Sequence, residues 1–309
     1  YNEVNPASDQ AIYRPGTGVE AGKFGDAAAP PASGLSRGTF DVEINHVIGW
    51  TAAGEWMNYT REFPSTNPNQ LYKVYARMAS GDSANPRNGQ LSRVTSDQTK
   101  ANQTVEVLGT FNAPWTGGWD TWPADGGTAD AIIQMKDAAG SEALVKLSGL
   151  TTLRFTFLPG AADLDFIAFV PAGTGGLPPK VLSLKPANNA SGLGSQPTIE
   201  ANIEDADLSV ASASLSVDGV AVSAAVTKTG KITKVSYSPS SAFAAGSSHK
   251  AALIYTDTAT PPVSRTNQVS FKISFTPFSA GTLFIEAEDF NFGHGQWIKD
   301  KPIGMSGSY

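Results

Sequence analysis

Paired carboxylates stand out near the C-terminal end of the chain, in the stretch Thr282-Leu-Phe-Ile-Glu-Ala-Glu-Asp-Phe-Asn291. Alternate side chains of an extended strand share a face, so Glu286 and Glu288 lie together, beside Phe284. Two carboxylates on one face repel each other, and each is costly to bury alone. They make sense beside a cation, and a set of oxygen ligands suits calcium. The alternative is a strand face exposed to solvent.

The three histidines give no sign of a catalytic or transition-metal site. His46, His249 and His294 lie in different segments and lack the spacing of metal ligands. The chain has no nucleophile elbow and no Gly-rich loop that opens a helix. Ser-His-Asp catalysis depends on a spatial arrangement that a sequence does not reveal. We predict that the protein is not an enzyme.

The amino-acid composition argues against some classes of protein and favours others. The 309 residues carry a net charge of −6 with 16% charged residues, and no basic run suggests nucleic-acid binding. No apolar run has membrane-spanning length. The 31 glycines and 20 prolines indicate a loop-rich all-β protein, and the absence of cysteine excludes disulfides. We predict an extracellular or cell-surface protein.

The chain is predicted to consist mainly of short β-strands, and these must position the glutamates and the other candidate residues. Alternation of apolar and polar residues begins at 39–45, where Phe40, Val42 and Ile44 share a face. Turn residues separate the later segments, a spacing typical of a sandwich or jelly roll. The other strands predicted in residues 1–172 are 55–63, 72–78, 90–95, 103–111, 131–135, 143–147, 151–158 and 164–170.

A second sandwich is predicted after a Gly- and Pro-rich linker at 173–179. Seven short strands between 180 and 276 are typical of an immunoglobulin-like domain. Asp218-Gly219 between two apolar runs predicts a hairpin turn. Asp205, Asp207 and Asp257 read as turn aspartates in preference to a calcium site. The predicted strands are 181–184, 198–203, 213–217, 221–227, 233–237, 249–256 and 268–275.

Four stretches carry a resemblance to a known family: Val47–Thr60, Tyr72–Arg77, Thr116–Trp122 and Asp163–Phe169. With them, residues 1–172 resemble carbohydrate-binding modules of the family 6 and family 35 type, which are β-jelly rolls. The middle domain resembles bacterial immunoglobulin-like spacers. Modules of that family open with a strand of the form Ile-Glu-Ala-Glu-Asp, and this chain carries that motif at 285–289, behind both domains. The first domain is therefore predicted to lack its opening strand.

The resemblance implies two binding sites. A structural calcium would be held by Glu286, Glu288 and an aspartate of the last strand, for which Asp165 is the best match. The sugar cleft of the family uses two aromatic rings and an amide. The rings match Trp50 and Trp119, for which simple loop packing is the alternative, and Asp163 occupies the amide position. The remaining aromatic residues of these motifs are predicted to pack in the core: Trp56, Tyr59 and Trp122.

Three functions follow from this organisation. In the first, residues 277–309 complete the jelly roll of a neighbouring identical subunit, which gives an extracellular filament assembled head to tail. The second is a carbohydrate-binding fragment of a larger secreted protein, and the third is a self-completed monomer. A domain of this size is about 35–40 Å long, whereas the connection at 276–281 spans at most about 20 Å. The connection is therefore too short to bring the C-terminal strand back to its own first domain, which argues against the monomer. The filament is predicted, with carbohydrate binding as the alternative, and these residues would fill the acceptor: Phe284, Ile285, Ala287 and Phe290.

Overall fold

The computed structural model describes residues 1, 19, 21–23, 46–83, 87–100, 102–119, 131–159 and 162–274. Every regular element in these residues is a β-strand, which confirms the predicted all-β class. No helix among them is long and apolar enough to cross a membrane. The predicted strand at 39–45, Trp122 and the segment 277–309 lie outside the described residues, so their assignments stay predictions.

In the described part of residues 1–174, ten strands form the first sandwich: β1 Ala21–Lys23, β2 His46–Ile48, β3 Trp56–Phe63, β4 Gln70–Ala79, β5 Arg87–Val94, β6 Val105–Ala113, β7 Ile132–Gln134, β8 Leu144–Lys146, β9 Gly149–Phe157 and β10 Asp163–Thr174. One sheet has the order β1-β2-β10-β4-β7, with β8 also paired to β4. The second sheet has the order β3-β9-β5-β6. Strand β10 continues two residues beyond the predicted end of the domain at 172, and the domain boundaries themselves stay predictions.

The core of this sandwich follows from strand alternation. On β4, Tyr72, Val74, Ala76 and Met78 point inward and are buried, as a period of two requires. They meet side chains of the second sheet, where Phe155 contacts two further phenylalanine rings. Fully burying each large apolar side chain contributes about 1.5–3 kcal/mol. The two sheets are therefore held together mainly by this apolar layer.

Nine strands form the second sandwich: β11 Lys180–Lys185, β12 Ala190–Leu193, β13 Ile199–Glu204, β14 Val210–Val217, β15 Val220–Val222, β16 Ala225–Thr229, β17 Ile232–Tyr237, β18 Ser248–Asp257 and β19 Ser264–Ile273. Its sheets have the orders β11-β13-β17-β16 and β12-β19-β18-β14-β15. A separate apolar core lies between them. These strands lie within the residues 180–276 predicted to form the immunoglobulin-like domain, whose boundaries stay predictions.

The hairpin prediction in this sandwich is confirmed, and two details differ from expectation. Asp218 and Gly219 join β14 to β15 with φ angles of 49° and 83°, the positive pair of a type I′ turn. The single strand predicted at 221–227 is two strands, because the chain crosses from one sheet to the other between Val222 and Ala225. Strand β12 was not predicted; it pairs parallel with β19.

Polar contacts join the two sandwiches. Lys146 of β8 forms an ion pair with Asp207, whose carboxylate also accepts the backbone N–H of Leu177 at 2.9 Å. Asn267 of β19 donates from Nδ2 to the hydroxyl of Ser141 at 2.6 Å. The linker and the loop before β8 are therefore both bonded to the second sandwich.

Candidate functional site

The predicted sugar-binding residues lie at one end of the first sheet. Leu164 of β10 pairs with Ile48 of β2, and the preceding residue, Asp163, pairs with Ala79 of β4. Trp50 follows β2 by two residues. Strands are spaced by about 4.8 Å, so the ends of these three strands lie within about 10 Å of one another. Strand pairing therefore brings the loop of Trp50 beside the start of β10.

The loop that carries Trp50 is anchored and locally strained. Trp50 has a φ of 50°, in the left-handed region that non-glycine residues rarely adopt. The next residue, Thr51, is buried; its hydroxyl donates to the carbonyl of Ala162 at 2.8 Å and accepts the N–H of Ala162 at 3.1 Å. Such strain persists only where surrounding structure holds it, and it is concentrated at functional sites. The position of the Trp50 backbone is thus set by the strand that starts at Asp163.

The loop that carries Trp119 is anchored to the end of β4. Thr116 is fully buried; its N–H donates to the carbonyl of Ser80 at 3.1 Å, and its hydroxyl accepts the N–H of Ser80 at 2.9 Å. The Trp119 indole lies directly on the backbone of Gly81, where an added Cβ would be 2.6 Å from the ring. Glycine at 81 therefore leaves room for the Trp119 ring just beyond the end of β4.

The predicted sugar-binding residues differ in the fraction of their surface that is exposed to solvent. Trp50 is 48% exposed and Trp119 is 50% exposed, whereas Asp163 between their loops is only 4% exposed. Half of each indole is therefore open to solvent, and the choice between a sugar cleft and simple loop packing stays a prediction. A third indole, Trp115, is 43% exposed in the same loop as Trp119. Trp115 directly precedes the Thr116–Trp122 motif, but neither that motif nor the resemblance pointed to it. We call Trp50, Trp115, Trp119 and Asp163 the aromatic end.

One predicted core residue lies elsewhere. Tyr59 packs against the core as predicted, but Trp56 is three positions away on β3 and points outward from the second sheet. The guanidinium of Arg154 lies 3.6 Å from the centre of the Trp56 ring, a cation–π contact. Residues separated by an odd number of positions occupy opposite faces of a strand. The core prediction for Trp56 was therefore wrong.

Asp165, the proposed calcium ligand, takes part in a buried ion pair. Its Oδ2 accepts a hydrogen bond from Nη1 of Arg77 at 2.8 Å, and the two side chains are 1% and 3% exposed. Glu286 and Glu288, its proposed co-ligands, lie outside the described residues. Within the part of the chain that is described, no group of three or more His, Asp or Glu side chains could hold a metal. The calcium assignment stays a prediction.

Two of the three aspartates in the second sandwich bind nearby backbone, as turn aspartates do. Asp205 Oδ1 accepts the N–H of Val210 at 2.9 Å. Asp257 Oδ1 accepts the N–H groups of Ala259 and Val263 at 3.0 and 3.1 Å. The turn prediction does not describe Asp207, which accepts the N–H of Leu177 in the linker.

Comparison with known proteins gives no family. No family model and no curated protein matches the chain. Fibronectin(III)-like modules of Clostridium thermocellum CbhA align with 77% of this chain and 100% of their own at 12% identity and a TM-score of 0.24. The glycoside hydrolase domain of Endo-D (Spr0440) from Streptococcus pneumoniae R6 aligns with 75% of this chain and 34% of its own, at 10% identity and a TM-score of 0.18. Likenesses at these scores carry no argument about fold or function.

Proposed function

We propose that the first sandwich binds a carbohydrate chain at its aromatic end. The observation that supports this function is the pair of half-exposed indoles, Trp50 and Trp119, held by anchored loops on either side of the Asp163 strand. Indole faces stack on the apolar faces of sugar rings, and a few polar groups nearby fix orientation. Asp163, at the predicted amide position, would supply such a group through the small part of its surface, 4%, that is exposed.

The test is binding to a panel of plant and algal polysaccharides by affinity electrophoresis. Trp50→Ala and Trp119→Ala should each weaken retention at least about tenfold, which corresponds to 1.4 kcal/mol of stacking free energy. Leu150→Ala is the matched control, because Leu150 is 68% exposed on the same sandwich but lies at the start of β9. It should bind like the unmodified protein.

Gly81→Ala tests the position of the ring without removing any binding group. The new methyl group would displace the Trp119 indole, so retention should fall although all three indoles remain. If the intact protein binds no glycan of a broad array, carbohydrate binding is rejected.

A second candidate function, assembly by strand donation, is favoured by an apolar groove in the first sandwich. The groove has a volume of about 350 Å³ and runs beside β10, between the two sheets. We call it the β10 groove. Its apolar lining comes from both sheets: Ile48, Leu164, Phe166, Ile167 and Phe169 on one side, and Tyr59, Phe63 and Leu153 on the other.

We propose that residues 282–290 of another copy of this chain occupy the β10 groove. A segment with alternating apolar side chains can add to a sheet edge through main-chain hydrogen bonds while those side chains fill the groove. Phe284 and Phe290 share one face of such a segment and would enter it, while Ile285 and Ala287 would face the other way. Two buried phenylalanine side chains contribute roughly 3–6 kcal/mol before the cost of association. Donor and acceptor are different surfaces, so repetition gives an open filament, at the cell surface or outside the cell.

Assembly is tested on the full chain by light scattering and electron microscopy. We expect filaments, and we expect a synthetic peptide of residues 282–291 to shorten them by competing for the β10 groove. The same peptide with Phe284 and Phe290 replaced by aspartate is the matched control and should leave filament length unchanged. A chain that stays monomeric over a wide concentration range would contradict this function.

A further inference from the structure

A serine, a histidine and an aspartate of the second sandwich form a hydrogen-bonded chain that neither proposed function uses. Ser247 Oγ lies 2.6 Å from Nε2 of His249, and Nδ1 of His249 lies 2.7 Å from Oδ2 of Asp218. These are the atoms and separations of a nucleophile, a base and the group that orients the base. The separate histidine segments gave no hint of it, because only strand pairing brings the residues together.

The backbone holds the three groups in place. Asp218 sits in the β14–β15 turn, where its Oδ1 accepts the N–H of Lys250 at 2.8 Å and its own N–H donates to the Lys250 carbonyl at 2.8 Å. Ser247 and His249 are two positions apart at the start of β18 and so lie on the same side of the chain. The His249 ring packs 4.1 Å from the ring of Phe243. The imidazole is therefore fixed between its two hydrogen-bond partners.

The Asp218 carboxylate is suited to orient the ring. Burial raises its pKa, but hydrogen bonds from His249 and from the Lys250 N–H outweigh that effect and hold the pKa below its ordinary value. The ionised carboxylate favours the tautomer with a proton on Nδ1 of His249. In that tautomer Nε2 presents a lone pair to the Ser247 hydroxyl.

The Ser247 hydroxyl has a second acceptor, the carbonyl of Ala244 at 2.6 Å. The Ser247 hydroxyl can donate its proton to the Ala244 carbonyl or to Nε2 of His249, but not to both at once. The Ala244 carbonyl also accepts the N–H of Ser247 at 3.1 Å, so it keeps a partner when the hydroxyl turns toward His249. Rotation of the hydroxyl toward His249 therefore leaves the Ala244 carbonyl hydrogen-bonded. Ser247 is partly exposed to solvent, so reagents can reach it.

We propose that Ser247 is an activated nucleophile for acyl transfer from esters. Its Oγ bonds to the acyl carbon while Nε2 of His249 takes the hydroxyl proton, and that proton leaves with the departing alcohol. Water then adds by the same route, which releases the carboxylic acid and restores the hydroxyl. Asp218 is a positioning residue. General-base assistance of this kind contributes about 10²–10⁴-fold to a rate.

The test treats the intact protein with a fluorophosphonate, which forms an Oγ–P bond with loss of fluoride, and locates the adduct by peptide mass spectrometry. We expect the adduct on Ser247, none there in Ser247→Ala, and about 10²-fold slower labelling in His249→Gln. Ser248→Ala is the matched control, because Ser248 is the exposed neighbour on the opposite face. It should label like the unmodified protein.

Hydrolysis of p-nitrophenyl acetate gives a second readout. Ser247→Ala, His249→Gln and the double variant should lose the same activity, because residues that act as one unit are not additive. Circular dichroism of each variant shows whether it is folded. Labelling of Ser247 no faster than that of Ser248, or unchanged labelling in folded His249→Gln, would overturn the proposal and leave a purely structural hydrogen-bond chain.

Discussion

Replacing Asp165 by asparagine is expected to lower the free energy of unfolding by about 3–5 kcal/mol. The Asp165 carboxylate lies 2.8 Å from the Arg77 guanidinium, and both side chains are almost completely buried. Asparagine keeps the shape but removes the negative charge opposite a buried cation, which is strongly unfavourable in a medium of low dielectric. Chemical denaturation monitored by tryptophan fluorescence measures the change.

Glu142→Gln is the matched control for this experiment. Glu142 lies 2.9 Å from Lys73, at a similar distance, but the two side chains are 36% and 39% exposed. Exposed pairs contribute less than about 1 kcal/mol because water screens them. An equally small loss in Asp165→Asn would contradict the structural role of the buried pair.

The same proteins test the proposed calcium site. If Asp165 binds calcium with Glu286 and Glu288, a chelator should lower the melting temperature of the unmodified protein, since a bound ion stabilises only the folded state. It should have no effect on Asp165→Asn. If the melting temperature of the unmodified protein is the same with and without the chelator, Asp165 binds no calcium and forms only its ion pair with Arg77.

Replacing Phe155 by alanine is expected to lower the free energy of unfolding by about 3–5 kcal/mol, because it leaves a cavity in the first core. The Phe155 ring is fully buried, 5.9 Å from Phe111 and 5.1 Å from Phe157 between ring centres. Leu150→Ala, on the exposed part of the same strand, should change stability by less than about 0.5 kcal/mol. Thermal and chemical denaturation measure both.

Gly89 gives a second test of how Phe155 packs in the core. A Cβ at Gly89 would lie 2.2 Å from Cζ of Phe155, so Gly89→Ala alone should destabilise the sandwich by steric overlap. In Phe155→Ala the ring is gone, and the methyl group that Gly89→Ala introduces can enter the space. The double variant should therefore lose less stability than the sum of the single variants. Strict additivity would show that the ring does not pack on Gly89.

The sequence predicted the features that depend on local patterns. The pattern at 72–78 predicted the strand that is β4, and Asp218-Gly219 predicted the hairpin. The grouping of Trp50, Trp119 and Asp163 came from a resemblance, and strand register shows that the strand ends next to them are neighbours. Features that depend on long-range pairing were missed. Ser247 and His249 approach Asp218 only because Val217 pairs with Ala251, and no local pattern reports that register.

Parallel pairing of β12 with β19 has a mechanical consequence. Ala190 pairs with Phe271 and Leu193 with Ile273, and the chain enters β12 at one end of this pair and leaves β19 at the other. Tension applied between the start of β12 and the end of β19 therefore shears the two strands past each other and loads their hydrogen bonds together. An antiparallel hairpin pulled at its open end would instead unzip one bond at a time. Tension on the whole chain reaches β12 only after β11 is pulled from β13, and from that point this pair is expected to resist extension of the second sandwich.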